Sequence, residues 1–357
     1  MPEAAPLPQA GGATFLSEIR GQPAALRALL EHEDAYARVA AEAHRRGARL
    51  IRMVGHGSSD NATSYGVYAF GLLPRWTAMR DSIALTVHYD THLEMAGSTV
   101  IGLSQSGQTP DVIEYVARAR KAGAYTVALT NDLDSDLAHE AEAALPLAAG
   151  PERAVAATKT YLNTVAALAL MAAHAAGEGR RYVDGIAVTA TLLDEALPSL
   201  ERQVRTMALP FASIGRMFVI GRGTEFATAR EIALKLLETC RVAAEPFTAT
   251  ALAHGPVAAL DPLFPVWTIA SRDETLPAVV EAAARVRTAG ATLVASGDAA
   301  DSLVDAAYVL PVPEPPAPLL SPLLSVVPGQ LFALALAQAK GLDPDRPAGL
   351  SKVTLAT

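Results

Sequence analysis

The chain repeats itself. The apolar run Leu50-Ile51-Arg52-Met53-Val54 ends in Gly55-His56-Gly57-Ser58-Ser59, and Met217-Phe218-Val219-Ile220 ends in Gly221-Arg222-Gly223-Thr224-Glu225. A second apolar run ends at Ser104 in the first copy and at Ser271 in the second. Helical stretches then close on Gly123 and Gly290, each followed by a third apolar run, from Tyr125 and from Thr292. The pairs Gly55/Gly221, Ser104/Ser271 and Gly123/Gly290 keep one spacing to within a single residue, which unrelated segments would not hold. Each copy reads strand, glycine-containing loop, helix, strand, loop, helix, strand. Apolar runs without strict alternation, separated by amphipathic helices, specify parallel strands covered on both faces. The expected fold is α/β: two tandem α/β/α sandwiches, each with a parallel sheet and with ligands at the carboxyl ends of its strands. A length of 357 residues fits about two domains at ~150 residues each. The expected units are an N-terminal lead and helical region over 1–46, the first sandwich over 47–190, the second over 191–342, and a C-terminal tail over 343–357. A long helix over 182–209 is expected to join the copies.

Composition narrows the function. Twenty-nine basic and 37 acidic residues leave a net charge of −8, which argues against a nucleic-acid partner. A single cysteine, Cys240, excludes an intramolecular disulfide and any cysteine-cluster metal site. It fits a reducing, cytoplasmic compartment. The opening MPEAAPLPQAGG lacks the basic start and apolar core of a signal peptide and is expected to be a disordered lead. Segment 317–339 carries no charge, but Pro318, Pro322 and Pro328 are expected to break its first part into extended pieces. The helix left after them, about 329–340, is too short to cross ~30 Å of hydrocarbon, so a buried helix is expected and no membrane partner.

The first copy carries an unusual loop after its second strand, Ser104-Gln105-Ser106-Gly107-Gln108-Thr109-Pro110-Asp111. Its hydroxyls, with Gly107 for close backbone approach and Pro110 opening a helix, form a neutral donor cup suited to one phosphate. It has neither lysine nor arginine, so the Walker pattern of a nucleotide cradle is missing. Gly57-Ser58-Ser59 adds hydroxyls at a neighbouring strand end, and Gly55-x-Gly57-x-x-Asp60 is an incomplete dinucleotide fingerprint. At the equivalent place the second copy has Ser271-Arg272-Asp273-Glu274-Thr275, whose acids would repel phosphate. The second copy offers instead Lys235 and Glu238, three apart on one helix face, and His254 in the turn Ala253-His254-Gly255-Pro256. Alone, the first pair reads as a surface ion pair and the histidine as structural. His88 and His92 have metal-pair spacing only on a helix, whereas Ile83–Val87 before them reads as a strand, so no metal is expected.

Together these motifs resemble the double sugar isomerase (SIS) domain family, in particular the isomerase half of glucosamine-6-phosphate synthase and the deaminases that lack a glutaminase. The resemblance runs from about Gly55 to Lys352. It rests on the phosphate loop Ser104–Thr109 and the segment from Gly150 to Lys159. It rests also on Ala233-Leu234-Lys235-Leu236-Leu237-Glu238, Ala253-His254-Gly255-Pro256 and Leu350-Ser351-Lys352. It implies that Ser59, Ser104, Gln105, Ser106 and Thr109 hold a phosphate, and that Glu238 moves a proton between C1 and C2. His254 would open the hexose ring in the partner subunit's site. Lys235 and Lys352 would assist near the reacting oxygens, Val155 and Ser351 would line the sugar through their backbones, and Glu152 would meet the sugar or its amine. The sequence departs from the family at Ala251, where an acid is common. The first α/β copy begins within the opening 50 residues, so a chain without the glutaminase is expected.

The expected function is therefore a cofactor-independent, homodimeric isomerase and deaminase that converts glucosamine 6-phosphate to fructose 6-phosphate and ammonia. The alternatives are a deglycase, an isomerase of another hexose phosphate, and a non-enzymatic sugar-phosphate sensor. The apolar helical segment over 156–176 is expected to supply a dimer interface.

Overall fold

A computed structural model describes residues 11–352; residues 1–10 of the expected lead and 353–357 of the expected tail lie outside them. Three helices, α1 (Ala13–Arg20), α2 (Gln22–Leu30) and α3 (Glu33–Arg45), precede the first copy. The copy runs β1 (Leu50–Val54), α4 (Ser58–Leu72), β2 (Thr77–Arg80), α5 (Ile83–Val87), β3 (Ser98–Leu103), α6 (Pro110–Lys121), β4 (Tyr125–Thr130), α7 (Asp136–Glu140) and β5 (Ala143–Pro146). Then come α8 (Lys159–Ala175) and the connecting helix α9 (Gly179–Met207). The second copy runs β6 (Arg216–Gly221), α10 (Glu225–Cys240), β7 (Ala243–Thr248), β8 (Pro265–Ile269), α11 (Leu276–Thr288), β9 (Thr292–Gly297), β10 (Tyr308–Pro311) and α12 (Pro322–Ala339).

The repeat in sequence is a repeat in topology. Both sheets have five strands, ordered β2-β1-β3-β4-β5 and β10-β9-β8-β6-β7, and every pairing is parallel. Read from β2 in the first sheet and from β7 in the second, the two orders superimpose β1 on β6 and β3 on β8. The expected α/β/α sandwiches are present, with five strands each where the apolar pattern marked three. The additional strands β2, β5, β7 and β10 are edge or outer strands with exposed or half-buried residues, so they lack the apolar run that identifies a central strand. In each sheet the chain reverses direction across the strands between β1 and β3, or between β6 and β8. That reversal opens a crevice at the strands' carboxyl ends.

Successive strand residues face two different cores. Met53, Ile101 and Val127 join one large cluster, while Val54, Val100 and Ala128 join a smaller one beneath α6 and α7. In the second sheet Val219, Trp267 and Val294 belong to the same large cluster, and Ile220, Val266 and Ala295 to a third. One apolar core therefore runs between the two sheets, filled by α4, α8, α10 and α12. This makes the copies a single packed body and brings α10 of the second copy against α4 of the first.

Three expectations change. Ile83–Val87, read as a strand, is a short helix: five apolar residues fit either element, and length alone does not separate them. The segment expected to be broken by prolines is one helix, because Pro322 occupies its first turn and Pro328 is accommodated inside it. Pro318–Ala339 is long and apolar enough to cross a membrane, but its most apolar 18-residue stretch is 94% buried in this protein. Finally, α8 is no exposed interface, since Thr160 to Ala173 are all buried under its neighbours. A helix apolar on all sides is a core helix.

Candidate active site

The crevice between β1 and β3 opens into a cavity of ≈ 560 Å³, a size suited to a small ligand. Its walls include Ser59, Ser104, Gln105, Ser106, Thr109, Val155, Glu238, Ser351 and Lys352, residues from five separated segments. The loop Ser104–Thr109 supplies one end. Ser104 Oγ and Thr109 Oγ1 are 2.8 Å apart, and the N–H groups of Gly107 and Gln108 donate to Ser104 Oγ (3.1 Å) and Ser106 Oγ (3.3 Å). Gly107 has φ +65°, and a Cβ there would lie 1.9 Å from Ser135 Oγ, so only glycine permits this turn. Thr109 precedes α6 in extended conformation and Pro110 begins it.

Glu238 reaches the cavity from α10, the helix of the other copy. Its neighbour Lys235 is fully buried, with Nζ 2.5 Å from Glu238 Oε2 and 3.3 Å from Glu231 Oε1. The reading of Lys235 and Glu238 as a surface pair is thus replaced by a buried one. Glu231 is held across the copies by Ser58 Oγ and Asn61 Nδ2, each donating at 2.9 Å. Burial works against the lysine's charge, but the two carboxylates outweigh it and hold the ammonium above its ordinary pKa. Burial also pushes the Glu231 carboxyl up, and Lys235 opposes this. Lys235 does not line the cavity; it fixes Glu238 from behind.

The C-terminal segment closes the opposite wall. Asp345 accepts N–H donors from Gly12, Thr14 and Phe15 at 3.0, 3.1 and 2.8 Å, which pins the segment to the start of α1. Leu350, Ser351 and Lys352 then border the cavity. Lys352 Nζ donates to Glu152 Oε2 at 3.0 Å. Glu152 has a side chain with 0% exposure and also accepts from Thr158 N, Thr160 N and Thr160 Oγ1. Burial raises the Glu152 pKa, but Lys352 and these donors more than reverse it, so the carboxylate stays ionised. Glu152 therefore anchors Lys352 and does not itself face the cavity. His254 is not brought to the site: it is exposed, in the turn after β7 at the edge of the second sheet, outside the cavity of its own chain.

The equivalent crevice of the second copy is plugged. Ser271, the counterpart of Ser104, donates to Glu225 Oε1 at 2.7 Å. Glu225 is buried at the start of α10, and burial raises its pKa to about 7. Asp298 beside it is raised by burial too, against donation from Ser321 Oγ at 2.8 Å. The sequence points to Asp273 and Glu274 as the acids of this crevice; in the structure Glu225 and Asp298 are the buried acids beside Ser271. Glu225 was visible as the acid ending the second glycine loop. Asp298 had no such signal.

The SIS domain family profile matches residues 44–174 and 211–339, one match over each copy. The chain belongs to the SIS domain family. Its SIS copies resemble those of several described proteins. A glutamine–fructose-6-phosphate aminotransferase of Corynebacterium efficiens is 32% identical over 98% of this chain, which spans 59% of that relative's length. A candidate phosphosugar isomerase structure from Silicibacter pomeroyi is 31% identical, with TM-score 0.81 over 93% of this chain and 99% of that one. The glucosamine-6-phosphate deaminase structure from Thermotoga maritima shares the fold, with TM-score 0.76 and 21% identity over 96% of this chain and 100% of that one.

Proposed function

We propose that this SIS protein is a phosphosugar isomerase and deaminase that converts glucosamine 6-phosphate to fructose 6-phosphate and ammonia. The observation that carries the reading is the meeting of a neutral hydroxyl cup from one copy with a carboxylate from the other across one cavity. A phosphate seated at Ser104, Ser106 and Thr109, with Ser59 and Gln105 beside them, would direct the sugar carbons toward Glu238. Isomerisation needs a base that takes a proton from one carbon and returns it to the next. Glu238 fits, because Lys235 fixes its orientation. Lys352 stands at the same cavity as a donor to the reacting oxygens, and the backbones of Val155 and Ser351 border the sugar. The resulting imine would be hydrolysed to ketose and ammonia, with no cofactor called upon. The active unit in this reading is a homodimer in which His254 of the partner subunit opens the ring, in a cytoplasmic setting.

The test is direct. The protein is incubated with glucosamine 6-phosphate while ammonia and fructose 6-phosphate are measured together. Equal release of both supports the reading. Isomerisation of a hexose phosphate without ammonia would replace it with a plain aldose–ketose isomerase.

A further inference from the structure

The phosphate cup contains no lysine or arginine, yet a sugar phosphate carries between one and two negative charges near neutral pH. Lys235 is buried behind Glu238, and Lys352 is held by Glu152, on the segment that forms the opposite wall. The remaining titratable groups lining the cavity are Glu238, Tyr161, His56, His88 and Asp111, of which only the histidines can carry a positive charge. His56 lies in the loop between β1 and α4, and Asp111 in the first turn of α6, two residues after Thr109 of the cup. His56 Nε2 donates to Asp111 Oδ2 at 2.7 Å, across the crevice where the strand order reverses.

The pair is asymmetric. The histidine side chain is 57% exposed and the aspartate side chain 9%. Both residues border the cavity, the ring half-exposed and the carboxylate beneath it buried. Asp111 Oδ1 is buried with no hydrogen-bond partner among the described residues, so His56 is the recorded partner of that carboxylate. The carboxylate fixes the ring through Nε2 and leaves Nδ1 as the second nitrogen of an exposed ring at the cavity wall. Flanked by Asp111 on one side and a phosphate on the other, the imidazolium is the form that donates to both.

We propose that His56, oriented by Asp111, is the cationic partner of the substrate phosphate and completes the neutral cup. His56 is thus a substrate-binding residue and Asp111 a positioning residue. The proposal rests on the phosphosugar reading above, and its test separates the two.

Binding of fructose 6-phosphate and of inorganic phosphate is measured by calorimetry for the full chain and for His56→Ala, His56→Arg, Asp111→Asn and Ser106→Ala. His56→Ala is expected to weaken both ligands about tenfold, the effect of one charge-assisted hydrogen bond. His56→Arg should restore binding to within about threefold, since it keeps a cation in reach. In turnover, His56→Ala should raise KM and leave kcat within about twofold, the mark of uniform binding. His56→Ala binding like the parent while Ser106→Ala is weakened would overturn the inference and leave the phosphosugar reading standing. His56→Arg as weak as His56→Ala would overturn the charge role. If the parent chain binds neither fructose 6-phosphate nor phosphate, both readings fail together.

Discussion

Glu238 and the cup residues sit on different copies of the repeat, so substitutions at each should fail differently. Glu238→Gln keeps the side chain's shape but takes no proton, and turnover should fall roughly 10²-fold or more with sugar-phosphate affinity little changed. The measurement is exchange of the substrate's C2 hydrogen with solvent; exchange at the parent rate would remove Glu238 from the proton transfer. Ser106→Ala combined with Thr109→Ala should act on binding, by about 1.5–3 kcal/mol for each lost charge-assisted hydrogen bond. Thr109 has the further task of meeting Ser104 Oγ, so its loss also loosens the cup. A phosphate soak that filled the Ser271 crevice instead would contradict the assignment of phosphate to the first copy. Most of the cavity wall was legible because its residues came as motifs: Ser104–Thr109, Glu238 at the end of Ala233–Glu238, and Leu350-Ser351-Lys352. His56 was not assigned a role, although it stood inside the glycine loop, because its partner Asp111 is 55 residues away and no local pattern announces such a contact.

The start of α10 differs from that of its counterpart α4 by a buried acid. Its first residue, Glu225, is wholly buried and its pKa is raised from the ordinary 4.5 to about 7. A raised acid contributes stability that is present below its unfolded pKa and lost as pH rises through its folded value. Wild-type stability should therefore fall between about pH 4.5 and pH 7, by about 3 kcal/mol for a shift of this size. Glu225→Gln removes that slope and keeps an acceptor for Ser271. Its melting temperature relative to the parent should rise as pH is increased from about 5 to 8. A difference that stays flat across this range would show that Glu225 titrates normally. At this scale the sequence was readable where strands are central and apolar, as β1, β3 and β4 are. It was not readable at β2, whose Thr-Ala-Met-Arg is mostly exposed, or at β5, which ends in Pro146. Pro328 in α12 misled for a related reason: a buried helix packed on all sides can absorb a proline that would break an isolated one.

His254 poses the question that belongs to the whole molecule. The family resemblance gives it the ring-opening role, yet it is exposed in the turn after the edge strand β7, outside the cavity formed by Glu238 and the cup. His254 is absent from the cavity lining of its own chain, and the resemblance assigns it to the partner subunit's site. A histidine that acts in this cavity must then come from another subunit, and a two-fold dimer would complete two sites at once. Earlier support from the apolar segment over 156–176 disappears, since α8 is buried within the chain, so the case rests on His254. Complementation decides it. His254→Ala and Glu238→Gln chains, each inactive alone, are mixed under conditions that exchange subunits. If His254 acts in the partner, each mixed dimer holds one site with both defects and one with neither. Equal mixing makes about half the dimers mixed, so about a quarter of parental activity should return. Differently tagged chains that co-purify, and so have exchanged, without any return of activity would show that His254 acts within its own chain.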